Sequence, residues 1–418
     1  MKAMGPIPAA FEGEDGMLLI GGIGAAALAE EAGDTPLFIY DAAMLSARVA
    51  ALRAVLPLRC DVHYAMKANP FAPLLRHMGG LVDGFDVASA GEMALALAAG
   101  VGADRISFAG PGKRDAELAA AVHEGVTVNL ESEGEGRRLL AVAERFGRRP
   151  RFAVRVNPDF DLKGSGMRMG GGAKPFGVDQ DRAAALAQEM IAAGADWQGW
   201  HIFAGSQSLD GDAIIAMQAA TIALASELSE EVGAEPPLVN LGGGFGIPYF
   251  PGDKELEIAP IGDRLAGLLD TDLGILNKSR FCVELGRWLV GEAGVYLTRV
   301  IDVKLSHGEA FAVTDGGLHH QLAASGNFGT VVRRNYPVAV ANRFGEVSGE
   351  RPVSIVGCLC TPLDRLADQV ALPMVEEGDL IAVFMAGAYG ASASPANFLG
   401  HGPAVEMLVT ADGDCVTE

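Results

Sequence analysis

Eight short runs of β-forming residues alternate with helical stretches through the middle of this chain, and this alternation most constrains its fold. Eight strands with intervening helices within ~225 residues predict an α/β protein with a closed (β/α)8 TIM barrel. A doubly wound open sheet is the competing α/β architecture. The predicted strands are 61–66, 84–87, 105–109, 126–130, 151–156, 199–203, 238–241 and 280–284. The predicted helices are at about 73–79, 90–100, 114–124, 132–146, 179–194, 211–233 and 256–271.

A second domain is expected beyond the barrel. With 418 residues and 50% hydrophobic content, the chain exceeds what one core usually holds, about 250–300 residues. A strand at 36–40 and a helix at 41–56, with Asp41 as N-cap, precede the first barrel strand. After Glu284 the pattern changes to strands with little helix between them. These β-type runs are 295–304, 309–314, 353–356 and 379–384.

Charge and composition exclude several classes of function. The net charge of −21 repels nucleic acid and anionic membranes, so neither is an expected partner. The sequence lacks both an apolar run of ~18 residues and a signal peptide, so we expect a cytoplasmic protein. The five cysteines lack the spacing of a zinc site or a disulfide framework, which predicts reduced thiols and no metal.

Polar residues and glycines stand where the predicted strands end, which is where a TIM barrel collects its chemistry. Lys67 follows the first strand in the segment HYAMKANP, and Glu284 ends the eighth. Each is by itself compatible with an ordinary surface residue at a strand end. The other strand-end positions are Asp86, Ser89, Asn157, His201, the glycine run 242–246, Gly286 and Arg287.

Together these residues predict a pyridoxal phosphate site. Lys67 is expected to be costly to desolvate at a buried strand end, which would make its amine a nucleophile toward carbonyls. A glycine run can bind a phosphate through backbone N–H groups, although a tight turn is the simpler explanation of glycines alone. His201 could lie against a flat ring, and Glu284 could hold a pyridine nitrogen protonated.

Six segments of the chain resemble, in order and spacing, the fold-type III pyridoxal phosphate decarboxylases. The likeness covers roughly residues 20–410, is greatest to the diaminopimelate decarboxylases, and is weaker to ornithine and arginine decarboxylases. It implies an alanine-racemase-like barrel at 36–285, a β-rich domain from 1–35 and 286–418, and a homodimer that shares its active sites. The segments are HYAMKANP, FDVASAGE (85–92), GGGFGIPY (242–249), ELGR (284–287), CTPLD (360–364) and GAYG (387–390).

The resemblance also implies a role for each matching residue. Lys67 would form the Schiff base with the cofactor, Glu284 would face the pyridine nitrogen, and His201 would stack on the ring. Cys360 would reach the cofactor of the other subunit and help to protonate the product carbanion. Asp86 and Glu92 would support the site, and the phosphate would be held by Ser206, Gly243, Gly244, Gly286, Arg287 and Tyr389.

Three departures from the family pattern bear on the substrate. Thr361 follows Cys360 where diaminopimelate and ornithine decarboxylases carry an acid for the distal ammonium of the substrate. The segments 315–320 (DGGLHH) and 326–337 (GNFGTVVRRNYP) replace a stretch that contacts the distal carboxylate of diaminopimelate. The histidine motif 201–207 (HIFAGSQ) also has two more residues between His201 and its glycine than the usual form, ahead of Ser206.

These differences favour an L-amino-acid α-decarboxylase whose substrate lacks a distal ammonium, such as a glutamyl group on a carrier protein. Thr361 and Asp364 would lie at the substrate, with Arg287. Arg333 and Arg334 are candidates to contact an acidic carrier or a distal carboxylate, although a solvated surface pair is the simpler explanation. A true diaminopimelate decarboxylase and an amino-acid racemase are the alternatives, and Glu284 argues against the racemase.

The glycine-rich segment 163–177 is a candidate lid or a passive loop.

Overall fold

The computed structural model describes residues 1–162, 170–326, 334–349 and 351–418, together with the strand backbone of 167–168. None of the helices in this part of the chain is long and apolar enough to cross a membrane.

Eight parallel strands close into a barrel, as the sequence predicts, and the open-sheet alternative is wrong. Neighbouring strands pair in chain order, and the last, Arg280–Leu285, pairs with the first, Cys60–Ala65, to close the ring. Phe281 lies opposite Cys60 and Glu284 lies opposite His63, so the residues that end these strands share one mouth of the barrel. The other six strands are Gly84–Val87, Ile106–Phe108, Thr127–Leu130, Arg151–Asn157, Asp196–Ile202 and Leu238–Asn240.

The helices that surround the barrel begin at side-chain caps where the sequence supplies them. Asp41 accepts hydrogen bonds from the N–H groups of Ala43 and Met44, and Ser89 accepts one from Glu92. Such caps satisfy N–H groups that have no partner in the first turn, each worth ~1 kcal/mol. The barrel helices are Ala42–Val55, Ala72–Gly79, Ala90–Ala98, Asp115–Glu124, Glu133–Phe146, Gln180–Ala192, Gly211–Val232 and Ala259–Leu269.

The barrel interior is unusually polar. Inward-facing side chains include His63, Asn129, His201 and Asn240, which line a cavity of about 250 Å³ that also reaches Arg151. Small TIM barrels are usually filled by branched apolar residues, and a polar cavity of this size has room and partners for water. The floor of the site is therefore hydrophilic.

A second sheet forms the β-rich part of the molecule. Its longest strand, Gly294–Ser306, pairs with Glu309–Thr314, Leu380–Val383 and Leu37–Asp41. The expected strands after Glu284 are confirmed. The strands Val338–Val340, Arg365–Val370, Val405–Val409 and Cys415–Val416, and the N-terminal strands Gly13–Glu14, Met17–Ile20 and Ile23–Gly24, were not predicted.

The strand Leu37–Asp41 requires a correction to the expected arrangement. It falls within the predicted barrel range, which begins at 36, but it pairs with Gly294–Leu297 and Val405–Val409 in the second sheet. All five of its residues are buried, as in a strand covered on both faces. Beyond this observation, the division of the chain into domains stays a prediction.

Candidate active site

A cavity of about 230 Å³ opens at the carboxyl ends of the barrel strands. It brings together most of the residues that the sequence predicts for a cofactor site, although they come from distant parts of the chain. Its lining residues are Ala65, Lys67, Phe203, Ser206, Gly244, Phe245, Glu284, Leu285, Gly286, Arg287 and Tyr389.

Lys67 lies in a single 3-10 turn, Met66–Ala68, directly after the first barrel strand. The turn is attached to the loop that follows the strand Leu380–Val383, because Ala68 accepts a 2.8 Å hydrogen bond from the N–H of Tyr389, and the Asn69 amide donates to the carbonyl of Gly387 at 3.0 Å. The Nζ atom of Lys67 lies 5.6 Å from the ring centroid of Phe203. The side chain is exposed, so the expectation of a desolvated lysine is wrong for the single chain.

Glu284 is the buried charge at the base of this cavity. Its Oε2 atom lies 2.8 Å from Nε2 of His201 and accepts a 3.4 Å hydrogen bond from the amide of Asn240. Burial alone would raise the pKa of the carboxyl. The hydrogen bond from His201 and the positive charges of His201, Lys67 and Arg155 outweigh burial and lower the pKa of Glu284 to about 2. Glu284 is therefore an anion throughout the physiological range.

Asp86 and Glu92 flank the lysine from the second strand and the helix that follows it. Asp86 is buried, and Oδ2 lies 3.4 Å from Nδ1 of His63. Desolvation alone would lower the pKa of His63, but the Asp86 carboxylate outweighs it and raises the pKa. Glu92 accepts a 2.6 Å hydrogen bond from the N–H of Ala88 and completes the cap of its helix, so its support of the site is structural.

The glycine run after the seventh strand brings bare backbone to the cavity wall. A Cβ atom on Gly243 would lie 2.0 Å from the carbonyl oxygen of Glu284, so no other residue fits there without movement of the backbone. Gly244 has φ of +92°, a conformation that favours glycine. Within the described part of the chain, the N–H groups of Gly243 and Gly244 donate no hydrogen bond. They are available to an anion.

Ser206 lies on the same cavity despite the longer spacing from His201. It belongs to the short strand Gly205–Ser206, which pairs with Met167–Arg168 of the glycine-rich segment. The sequence prediction of Ser206 as a cavity residue is therefore supported by position.

Arg287 supplies the cation of this cavity. Its Nη1 atom donates to the Tyr249 hydroxyl at 3.1 Å, and its guanidinium lies 4.8 Å from the ring centroid of Tyr389. Its Nε atom is buried and has no hydrogen-bond partner among the described residues. Desolvation would lower the pKa of Arg287, but Tyr249 and Tyr389 outweigh it and raise the pKa. A buried cation with an unused donor is suited to an anionic group.

The predicted substrate residues do not line this cavity in the single chain. Cys360 is exposed, and Thr361 lines a separate surface pocket of about 490 Å³ with Lys304 and Arg365. Asp364 is buried, and its two oxygens accept hydrogen bonds from the N–H groups of Leu318 (2.7 Å) and Leu359 (2.8 Å). Those contacts are structural and give no support to the predicted substrate role of Asp364.

Of the two arginines predicted to contact a carrier or a distal carboxylate, the structure describes only Arg334. Arg333 lies outside the described residues. Arg334 is exposed, and its guanidinium lies 3.8 Å from the ring centroid of Phe250. Phe250 packs beside Tyr249, with ring centroids 5.9 Å apart, so Arg334 is two aromatic contacts from Arg287. Its position is at the edge of the site.

Three residues of the site were not predicted: Phe203, Asn240 and Tyr249. Asn240 ends the seventh strand, so the strand-end rule could have found it. Phe203 and Tyr249 carry no local signal, because an aromatic residue in a loop usually packs against its neighbours and has no role in binding.

The glycine-rich segment is anchored where it is described: Asn157 donates to the carbonyl of Gly172 at 3.0 Å, and Gly177 donates to Glu131 at 3.1 Å.

The residues present fit pyridoxal phosphate. The cavity offers a lysine amine, an ionised carboxylate at its base, and backbone N–H groups and an arginine at its wall. Several buried polar atoms around it also lack a hydrogen-bond partner in the described chain, which is uncommon unless a ligand or water provides one. They are Nε of Arg287 on the cavity wall, Nδ1 of His201, which pairs with Glu284, and Oδ1 of Asp86, which lies opposite Ala65.

Comparisons with known proteins agree with this geometry. Residues 42–291 match the family model described as the pyridoxal-dependent decarboxylase, pyridoxal binding domain. The L-glutamyl-[BtrI acyl-carrier protein] decarboxylase of Niallia circulans is 38% identical over 387 residues, covering 90% of this chain and 89% of that protein. The diaminopimelate decarboxylase of Methanothermobacter thermautotrophicus is 33% identical, covering 91% and 88%.

A solved structure extends the similarity to the whole fold. Diaminopimelate decarboxylase from M. jannaschii in co-complex with L-lysine superposes with a TM-score of 0.86 at 26% identity, covering 98% of this chain and 95% of that one. The residues at the barrel mouth thus fit the cofactor of this family, and the chain belongs to the family of pyridoxal-dependent amino-acid decarboxylases.

Proposed function

We propose that this decarboxylase acts on an L-amino acid whose distal end bears no ammonium, and that its substrate is a glutamyl group attached to a carrier protein. The observation that carries the proposal is Thr361, which stands where related decarboxylases have an acid beside the cysteine. Without that acid, a distal ammonium lacks a charged hydrogen bond worth ~1.5–3 kcal/mol.

The surroundings of Thr361 support the same reading. Its pocket contains two cationic side chains, Lys304 and Arg365, and Arg365 also pairs with Asp368. The one carboxylate that lines it, Asp364, already accepts two backbone hydrogen bonds. A pocket of this composition favours a neutral or anionic distal group over an ammonium.

The chemistry then requires a particular attachment to the carrier. Pyridoxal-dependent α-decarboxylation needs a free α-amine to join the cofactor and a free α-carboxylate to leave. A glutamyl group meets both needs only when its side-chain carboxyl is joined to the carrier. Its distal end is then neutral, in agreement with Thr361. Exposed Arg334, at the edge of the site, is proposed to contact the acidic carrier.

The residues of the cavity have distinct proposed roles. Lys67 would hold the cofactor through its amine and would release it to the amine of the substrate. Arg287, Ser206 and the N–H groups of Gly243 and Gly244 would hold the phosphate. When bound, pyridoxal phosphate supplies a ring that accepts the electron pair left on Cα when CO2 departs. Glu284 would hold a proton at the ring nitrogen. His201 does not line the cavity, so the structure gives no support to its predicted place against the ring, and it would orient the Glu284 carboxylate instead.

A homodimer completes the proposal. Cys360 is exposed and does not line the cavity of its own chain. We infer that it enters the cavity of a second copy and delivers a proton to Cα of the product. Mixing the Lys67→Ala and Cys360→Ala variants tests this: half of the dimers then carry one intact site, so about a quarter of the wild-type activity should return. No recovery after proven subunit exchange would overturn the shared site.

The substrate proposal is tested by CO2 release from glutamate, diaminopimelate, lysine and ornithine, with glutamate both free and carrier-loaded. We expect turnover of the carrier-loaded glutamyl group and little of the others. The Thr361→Glu variant should gain activity toward substrates with a distal ammonium, and Thr361→Val serves as its matched neutral control. Robust turnover of free meso-diaminopimelate by the wild type would refute the proposal and favour diaminopimelate decarboxylase, the second candidate.

A further inference from the structure

Three side chains outside the cavity form a cluster suited to a metal ion. His319, Cys358 and His401 each offer one ligand atom, and these atoms all lie within 4.8 Å of one another. The three residues lie on separate loops that no spacing rule connects, so no sequence motif predicts a metal site here. The Sγ atom of Cys358 is 3.8 Å from Nε2 of His401.

His319 is the informative member of the cluster. It is fully buried, yet neither of its ring nitrogens has a hydrogen-bond partner in the described chain. The adjacent His320 is satisfied at both nitrogens, by the Tyr296 hydroxyl (3.1 Å) and the Gly402 carbonyl (3.0 Å). A buried imidazole without partners is costly, so a ligand for His319 is the expected explanation.

The loops that carry these residues are tied together by neighbouring contacts. The Asp364 carboxylate accepts the N–H of Leu318, next to His319, and the N–H of Leu359, next to Cys358. A Cβ atom on Gly317 or Gly357 would lie 2.2 or 2.3 Å from the Asp364 oxygens, so both loops close tightly on this carboxylate. The third loop, which carries His401, is held by the hydrogen bond between His320 and the carbonyl of Gly402. Asp364 is therefore a positioning residue of the cluster.

We propose that His319, Cys358 and His401 bind one zinc ion, with the fourth coordination position taken by water. Two imidazoles and one thiolate are zinc ligands, with Zn–N of about 2.0–2.1 Å and Zn–S of about 2.3 Å, so the exposed His401 needs to move by roughly 1 Å.

Binding has a defined proton balance and a structural consequence. Cys358 donates its S–H to the Asp315 carbonyl at 3.3 Å. Coordination replaces that hydrogen bond with a Zn–S bond and releases the thiol proton to solvent. Cys360 is two residues further along the same loop, so the ion would fix the loop that carries it. The metal site itself does not depend on the proposed substrate.

Zinc content of the full-length holoenzyme tests the proposal. After exposure to zinc and buffer exchange, we expect about one zinc per chain by elemental analysis, as three protein ligands should retain it. The Cys358→Ser and His401→Ala variants should lose it, while the matched variants Cys415→Ser and His123→Ala, at a cysteine and an exposed histidine elsewhere, should keep it. Because His401 is exposed, its variant should fold, which circular dichroism can verify.

Cobalt substitution gives a second readout. Cobalt bound at this site should show visible d–d bands of a tetrahedral ion and a thiolate charge-transfer band, and both should vanish in Cys358→Ser. A wild-type protein that retains less than about a tenth of an equivalent of zinc, or variants that retain as much as the wild type, would overturn the site.

Discussion

Replacing Glu284 by glutamine removes the buried negative charge of the cavity while preserving the shape of the side chain. The surroundings of Glu284 lower its pKa from 4.5 to about 2. A shift of this size corresponds to roughly 3 kcal/mol of preference for the ionised form. That value indicates how strongly this position interacts with positive charge at hydrogen-bond distance.

The same interaction should hold a proton on the cofactor ring. If it does, Glu284→Gln should lower kcat by about 10²–10³, since each 1.36 kcal/mol is a factor of ten. Cofactor content should stay near that of the wild type, because the proposed phosphate contacts come from other residues. Steady-state CO2 release, with cofactor measured by absorbance, gives both quantities.

A matched control separates charge at the site from loss of any buried carboxylate. Glu292 is partly buried and pairs with Arg48 away from the cavity, so Glu292→Gln should leave kcat within a few-fold of the wild type. A fully loaded Glu284→Gln enzyme with kcat within about tenfold of the wild type would refute the assigned role.

Two further predictions concern the cavity wall and the loop beside it. Gly243→Ala places a Cβ atom 2.0 Å from the Glu284 carbonyl and should lower the free energy of unfolding by ~1–3 kcal/mol and weaken cofactor binding, as measured by urea denaturation and cofactor titration. Gly267→Ala, in a helix with open space around it, is the control and should be neutral or stabilising. Burial would raise the pKa of Glu131, but Arg155, Lys113 and two backbone N–H groups outweigh it, so its pKa lies below 4.5. Its stabilisation is therefore present above about pH 4.5 and lost as the pH falls below that value, and Glu131→Gln should show a smaller loss of stability over that range. Equal acid sensitivity of the two proteins would contradict this account.

The barrel could be predicted because its signal is local and repeated. Each of the eight strands has its own β-type run, and some of the helices also have a side-chain cap, such as Asp41 and Ser89, so many local signals agree. Once the barrel is predicted, the site residues at the strand ends can be predicted too, because parallel strands present their carboxyl ends at one mouth of the barrel. Lys67 and Glu284 lie on the same cavity for this reason.

Features that depend on long-range pairing could not be predicted. The strand Leu37–Asp41 has the pattern of a buried strand, but nothing local tells which sheet it joins. Asp364 looked like a substrate residue, and only the folded loops reveal that Leu318 and Leu359 occupy its oxygens. The cluster around His319 likewise forms only when three loops meet.

The central claim is that Lys67 is the residue that holds pyridoxal phosphate at the mouth of the barrel. Reduction of the holoenzyme with borohydride, followed by peptide mass spectrometry, measures this directly. The account predicts a pyridoxyl group on the peptide that contains Lys67, and none in the Lys67→Ala variant. A label on another lysine, or wild-type activity without any label, would contradict it.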